Sequence, residues 1–223
     1  LDDLNTVVSA GGAFTMTLTN AQSGFSLTQT AAATAHSVSL ATQSLADTMS
    51  VKVTGSATIA AGTFTANGIE TVNIESDDTA TTPAGSVVHT MTLVDDAVKT
   101  VNVSGDGQLT LTANDTTITT FSAAGMTNSK SGVSWTPANA LAAAASITGG
   151  SGNDTITGGE DADSIFGGAG EDSIIGATSG DTIDGGEGPT DFDTLDLRGA
   201  GEPENAGGRV TVDYDAPGSE GGV

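Results

Sequence analysis

Glycine and aspartate recur at a fixed spacing between Gly149 and Asp196, and this recurrence is the clearest chemical signal in the chain. Five consecutive units read GGSGNDTIT, GGEDADSIF, GGAGEDSII, GATSGDTID and GGEGPTDFDTLDL. Glycines at the first, second and fourth places permit positive φ and close backbone approach, so these residues can form a tight turn whose carbonyl oxygens point inward. Carbonyl and carboxylate oxygens are the hard ligands that Ca²⁺ prefers, and stacked turns can supply six or more of them. The pattern therefore predicts calcium sites.

The predicted ligands come from the aspartates and from the turns that precede them. The candidate metal residues are Asp154, Asp163, Asp172, Asp181 and Asp193, together with Gly150, Gly152, Gly159, Asp161, Gly168 and Gly170. Some units depart from the pattern. Asp161 replaces the fourth-place glycine of the second unit, Ala177 and Ser179 replace two glycines of the fourth, and the fifth has extra residues before Asp193.

The last three residues of each unit predict a short strand with an apolar centre that faces inward. The central residues Ile156, Ile165, Ile174 and Ile183 are nine residues apart. A disordered Gly/Asp-rich linker is the alternative interpretation of such composition. A linker has no reason to keep the isoleucines in register, so we expect an ordered structure with calcium and allow disorder without it.

These units resemble the RTX calcium-binding nonapeptide G-G-x-G-x-D-x-U-x. The resemblance implies that two consecutive nonapeptides make one coil of a right-handed parallel β-roll, with calcium between the loops of neighbouring coils on each side. Carried over to this chain, it implies that Asp154 shares an ion with Asp172, Asp163 with Asp181, and Asp172 with Asp193.

The charge of the chain is strongly acidic and unevenly distributed. Five Lys and Arg residues oppose 28 Asp and Glu residues, which gives a net charge of −23. Residues 149–223 hold 17 of the acids, so this part should resist compaction unless cations neutralise it. The near-absence of Lys and Arg argues against a nucleic-acid partner. The sequence has no cysteine and no apolar run long enough to insert into a membrane.

The Thr-, Ser- and Ala-rich part of the chain before the nonapeptides predicts strands. Apolar residues alternate with Thr or Ser, as in Met49-Ser-Val-Lys-Val-Thr, which is typical of a half-buried strand. Related units begin at Ile69, Val98 and Ile118. Degenerate units of this length favour a parallel β-solenoid, although an antiparallel β-sandwich is the alternative.

The predicted fold is all-β, a parallel β-solenoid followed by a calcium-binding RTX parallel β-roll. We expect a solenoid domain over 1–140, the nonapeptide β-roll over 141–196, and over 197–223 the truncated start of a capping or lattice segment. Ala144 to Gly149 has the strand register of the nonapeptides, and we expect it to couple the two parts, with a short helical turn at Leu141 to Ala145 as the alternative. The chain as a whole is expected to be a fragment of a longer protein.

No catalytic constellation is evident in the sequence. His36 and His89 belong to no H-E-x-x-H pair, and no G-x-S-x-G motif occurs, so we expect structural histidines and no enzymatic activity. Trp135 is expected to pack at the junction. The acidic stretches Ser76-Asp77-Asp78 and Asp95-Asp96 predict turns.

The Thr-rich solenoid sequence joined to nonapeptides is similar to the RTX-type surface-layer (S-layer) proteins of Gram-negative bacteria. That resemblance implies type I secretion, calcium-dependent folding on the cell surface, and self-assembly into a lattice, with cell-surface polysaccharide as a further partner. Extracellular calcium sites with affinities of about 10⁻⁴ to 10⁻³ M would separate export from folding. The alternative is an RTX module of a large adhesin or of a secreted protease, lipase or epimerase, which a zinc or serine-hydrolase motif upstream would reveal.

Overall fold

The chain forms a parallel β-solenoid whose coils each contribute one strand to each of two sheets. The computed structural model describes residues 6–9, 15–81, 85–95, 97–114, 117–137, 143–178, 180–186, 192–196 and 211–213. Within these residues the odd-numbered strands form a ten-stranded sheet, called sheet A, and the even-numbered strands form a nine-stranded sheet, called sheet B. All pairings between neighbouring strands are parallel. The predicted solenoid is therefore confirmed over the sandwich.

The strands follow one another along the chain in strict alternation between the sheets. Sheet A contains β1 (Thr6–Ser9), β3 (Phe25–Gln29), β5 (Thr48–Gly55), β7 (Thr71–Asp78), β9 (Thr100–Gly105), β11 (Thr120–Gly125), β13 (Ser146–Thr148), β15 (Ser164–Gly168), β17 (Thr182–Gly186) and β19 (Thr211–Asp213). Sheet B contains β2 (Thr15–Ala21), β4 (Ala35–Leu40), β6 (Ala60–Asn67), β8 (Val88–Val94), β10 (Gln108–Ala113), β12 (Val133–Pro137), β14 (Thr155–Thr157), β16 (Ser173–Ile175) and β18 (Thr194–Asp196).

The core lies between the two sheets and is filled by alternate residues of most strands. Phe64, Leu111 and Trp135 are among its largest fully buried side chains, and Trp135 stacks on Phe121 with ring centroids 4.3 Å apart. Burial of each such side chain stabilises the fold by about 1.5–3 kcal/mol. The Thr and Ser residues between them face outward, because successive strand residues point to opposite sides of a sheet. The packing predicted for Trp135 is confirmed.

The nonapeptides supply a thinner core with a regular repeat. Ile147, Ile165 and Ile183 pair with one another in successive strands of sheet A, and Ile156 pairs with Ile174 in sheet B. Partners in the same sheet are 18 residues apart, so two nonapeptides make one coil, as the resemblance implies. The strand register expected for Ala144 to Gly149 is confirmed by β13.

The two sheets run from the Thr-rich part into the nonapeptides. Strand β12 pairs with β14, and β11 pairs with β13, across the junction between the two kinds of sequence. The expected boundary at residue 140 and the interval 197–210 lie outside the described residues, and so does Leu141 of the expected helical turn. Ala143 to Ala145 are not helical.

One turn prediction is wrong. Ser76, Asp77 and Asp78 form the end of β7 and pair with β5. Asp77 is held there by Lys52 Nζ at 3.1 Å and by the hydroxyl of Thr54, which donates to its carboxylate at 2.8 Å. These two partners stabilise the carboxylate of Asp77 within the strand, although aspartate generally favours turns. Asp95 follows β8, whereas Asp96 lies outside the described residues.

The helical content of the described residues is nil, and no helix there is long and apolar enough to cross a membrane.

Candidate metal centre

The predicted aspartates form two columns, one at each edge of the solenoid. Asp154, Asp172 and Asp193 each stand directly before a strand of sheet B, and we call them the first column. Asp163 and Asp181 stand directly before strands of sheet A, and we call them the second column. The repeat period places them this way, because alternate nonapeptides begin strands of alternate sheets.

Neighbouring members of each column are joined by a hydrogen bond between coils. The backbone N–H of Asp154 donates to Oδ1 of Asp172 at 2.8 Å, and that of Asp172 donates to Oδ1 of Asp193 at 2.9 Å. In the second column the N–H of Asp163 donates to Oδ1 of Asp181 at 2.8 Å. The structure thus brings together the three aspartate pairs that the resemblance names.

The second carboxylate oxygen closes the turn of its own unit. Oδ2 of Asp154 accepts from the N–H of Gly150 at 2.6 Å, and Oδ2 of Asp163 accepts from the N–H of Gly159 at 2.7 Å. Oδ2 of Asp181 accepts from the N–H of Thr178 at 2.6 Å. An ionised carboxylate offers about four lone-pair positions. Two backbone N–H groups therefore leave acceptor capacity that a cation can use.

Most of these carboxylates are buried, so they need a positive charge nearby when they are ionised. Asp154, Asp163, Asp172 and Asp181 are each at most 2 % exposed, whereas Asp193 is exposed. Burial raises the pKa of Asp154 to about 6 and also raises the pKa of Asp163. A buried carboxylate is costly when ionised unless an opposite charge compensates it. Lysine and arginine are scarce in this part of the sequence, so a metal cation is the fitting counter-charge.

The donor set fits Ca²⁺. No group of three or more His, Cys, Asp or Glu side chains that could hold a metal converges within the described residues. A cation at the columns would therefore combine paired carboxylates with carbonyl oxygens of the turns, and such an all-oxygen set suits Ca²⁺.

The glycines are required mainly by the close stacking of turns. A Cβ on Gly167 would lie 2.5 Å from Oδ2 of Asp172 and would overlap the carbonyl oxygen of Gly185. Gly168 and Gly170 adopt φ of 119° and 129°, as expected. Gly150 and Gly152 do not adopt positive φ. Their lack of a side chain serves close approach instead, because a Cβ on Gly152 would lie 2.6 Å from the carbonyl oxygen of Ser131.

Asp161 lies outside the buried columns. It is exposed, and its carbonyl oxygen accepts from the hydroxyl of Thr178 at 3.4 Å. Its negative charge helps to raise the pKa of Asp163 after the larger effect of burial. The ligand roles of the five column aspartates, of Asp161 and of the turn glycines stay predictions.

The first aspartate of each column accepts a hydrogen bond from the backbone of a residue that the ligand prediction did not include. The N–H of Val133 donates to Oδ1 of Asp154 at 2.6 Å, and the N–H of Ala145 donates to Oδ1 of Asp163 at 2.8 Å. Ala145 stands nine residues before Asp154, so the nonapeptide period could have found it. Val133 stands 21 residues before Asp154, and the period gives no signal for it.

The same edge arrangement recurs in the Thr-rich part with other acceptors. Oε2 of Glu70 accepts from the N–H of Asp47 at 2.8 Å, and Nδ1 of His89 accepts from the N–H of Ile59 at 3.1 Å. Nε2 of His89 lies 3.2 Å from the carbonyl oxygen of Asp77, so this nitrogen carries the proton. His36 is buried beside Gln29 at 3.2 Å, and burial lowers its pKa. The rings of both histidines therefore form hydrogen bonds to neighbouring groups of the solenoid.

Comparison with known families agrees with this geometry. The family model of the RTX calcium-binding nonapeptide repeat, which spans four copies of the repeat, matches residues 145–174 and also 158–189. No curated protein sequence matches the chain. Residues 145–189 are therefore calcium-binding repeats of the RTX type, and Ca²⁺ is the ion that they bind. The match spans 45 of the 223 residues, and calcium-binding repeats of this type are typical of secreted proteins.

Proposed function

We propose that the chain is the structural part of a bacterial surface-layer protein, which folds with calcium outside the cell and assembles with copies of itself. The observation that carries this proposal is the continuity of the two sheets through the junction between the Thr-rich coils and the nonapeptides. Each coil buries its apolar face against its neighbours, so an unbroken solenoid behaves as one stiff rod. A stiff, calcium-dependent rod suits a lattice subunit.

The acidic columns supply the switch for such assembly. In a compartment with little calcium, buried carboxylates such as Asp154 and Asp163 oppose folding of the repeats, which keeps the chain suited to type I export. At extracellular calcium, the binding free energy becomes folding free energy. We assign the ions to the Asp154/Asp172, Asp163/Asp181 and Asp172/Asp193 pairs, with turn carbonyls completing each site.

The proposed partners are copies of the chain and, as the anchor, cell-surface polysaccharide. We propose no catalytic role, since both histidines serve internal hydrogen bonds.

A calcium titration tests this proposal. Circular dichroism should show a cooperative gain of β-structure at roughly millimolar calcium, and electron microscopy of the same samples should show ordered sheets. Calcium-induced folding without any assembly would instead favour an RTX module of an adhesin or of a secreted enzyme. A signal that calcium leaves unchanged would contradict the assigned ligands.

A further inference from the structure

We propose that the outer face of sheet B is the surface through which one copy of this chain contacts another. This inference deepens the proposed function and rests on it, because it names the surface used for assembly. It depends on how the sequence is divided between the two sheets, which becomes visible only in the fold.

Sheet B has no charged residue over eight consecutive strands. Strands β2, β4, β6, β8, β10, β12, β14 and β16 contain no Asp, Glu, Lys or Arg, and β18 adds only Asp196. Sheet A differs, because Lys52, Glu75, Asp77 and Asp184 occupy outward positions of its strands. In a chain of net charge −23, an uncharged face of this extent is a marked exception.

The outward side chains of sheet B form rows that run across the coils. One row contains Thr90, Thr110, Ser134, Thr155, Ser173 and Thr194, which are paired in successive strands. A second row, two residues further along the strands, includes Thr92 and Thr112. The inward residues between the rows, such as Leu111, are buried. The face is thus regular and consists mainly of Thr and Ser side chains, with Val88, Val94, Gln108 and Ile175 also facing outward.

The distribution of charge favours a second copy of the chain as the partner of this face. Two chains of net charge −23 repel one another, and a contact that buried carboxylates of both would leave them without a counter-charge. A contact between two sheet B faces desolvates almost no charge. Thr and Ser rows can also pair with each other, because each hydroxyl both donates and accepts a hydrogen bond.

The size of the face is compatible with self-association. Nine strands about 4.8 Å apart extend about 38 Å, and four residues along each strand extend about 13 Å. The resulting face measures about 500 Å², so two copies would bury about 1,000 Å², which is near the lower limit for a specific interface.

The test introduces one negative charge on each sheet. Thr110→Glu places it in the row of sheet B between Thr90 and Ser134. The matched control Thr120→Glu makes the same change on sheet A, between Thr100 and Ser146. Circular dichroism and Trp135 fluorescence verify that both variants fold in calcium. Sedimentation velocity over a range of protein concentrations then measures association.

We expect Thr110→Glu to weaken calcium-dependent association by at least about tenfold, because it brings like charges together in a closed contact. Thr120→Glu should associate like the unchanged chain. Equal association of all three proteins, or equal weakening in both variants, would overturn the sheet B contact while leaving surface-layer assembly intact.

Other outcomes separate the inference from the proposed function. Dimers that Thr110→Glu abolishes but that never grow into sheets under the electron microscope would support the contact and contradict the surface layer. A folded chain that stays monomeric would overturn both. A monomer that binds insoluble cellulose only while Thr110 is unchanged would also overturn the contact, and would assign the face to a neutral polysaccharide.

Discussion

The backbone N–H of Val133 donates a hydrogen bond to Oδ1 of Asp154 across 2.6 Å and so joins the last Thr-rich coil to the first calcium repeat. The N–H of Ala145 does the same for Asp163 at the opposite edge. A hydrogen bond to the ionised form of a carboxylate stabilises that form. The end of the Thr-rich solenoid therefore offers two positioned donors on which the repeats can begin to fold.

The first prediction concerns the order of folding, with Trp135 as the reporter. The core around Trp135 is apolar, and the aspartate columns begin only after Trp135 in the chain. This core should therefore form without calcium. In a calcium chelator we expect Trp135 fluorescence to stay blue-shifted while part of the β-signal in circular dichroism is lost. Emission that moves to the wavelength of water-exposed tryptophan on chelation would show that the Thr-rich coils also need calcium.

The second prediction concerns Asp172, which contacts aspartates both above and below it in the first column. Asp172→Asn removes one negative charge from two neighbouring coils and should raise the calcium concentration at half-folding by about tenfold or more. Glu171→Gln is the matched control, because Glu171 is the adjacent residue and is exposed. Calcium titrations followed by circular dichroism measure both. Equal midpoints in the two variants would remove Asp172 from the ligand set.

The third prediction compares two glycines at the first place of their units. Gly167→Ala would force a Cβ against the carbonyl of Gly185 and to 2.5 Å from Asp172 Oδ2. Because backbone must then shift, we expect a loss of about 1–3 kcal/mol in the stability of the calcium-bound form. Gly158→Ala should cost less, because the atom nearest to its Cβ would be the terminal methyl group of Ile165 at 3.2 Å rather than a backbone atom. Urea unfolding in calcium measures the difference, and an equal loss in both variants would contradict the stacking argument.

The fourth prediction concerns pH in the absence of calcium. The pKa of Asp154 is about 6 in the folded protein, against an ordinary value of 3.8. The folded state therefore binds this proton more tightly than the unfolded state does. The proton's contribution to the stability of the folded state is complete below pH 3.8 and is lost as the pH rises through about 6. The loss amounts to at most about 3 kcal/mol.

Calcium-free protein should accordingly contain more β-structure at about pH 4.5 than at about pH 7.5. Circular dichroism in a chelator measures this, and Asp154→Asn should reduce the pH dependence. With calcium present the trend should reverse, because protons compete with the ion for the carboxylates. A calcium-free protein that gains structure as the pH rises would contradict the prediction.

The regular part of the fold could be predicted because its information is local. The period of nine residues sets both the turn and the strand, so the stacking of Ile147, Ile165 and Ile183 follows from the sequence. The pairing of Asp154 with Asp172 was implied by the resemblance to RTX repeats, in which two nonapeptides make one coil. Alternation of Thr with apolar residues likewise predicted most strands of the Thr-rich part, although β1, β6 and β12 were not identified.

The irregular coils could not be predicted, because their registers depend on loops of different lengths. Val133 lies above Asp154 although 21 residues separate them, and Asn73 pairs with Asn102 across 29 residues. Alternation shows which side of a strand is buried, but it does not show which sheet the strand joins.

The sequence by itself therefore determined the calcium repeats and the solenoid class, since each follows from short-range spacing. Only the tertiary structure decided that Val133 and Ala145 donate hydrogen bonds to the first aspartate of each column. It also decided that the charges collect on sheet A and at the edges. The reason is that residues far apart in the chain become neighbours through strand pairing. The uncharged face of sheet B is the product of that pairing.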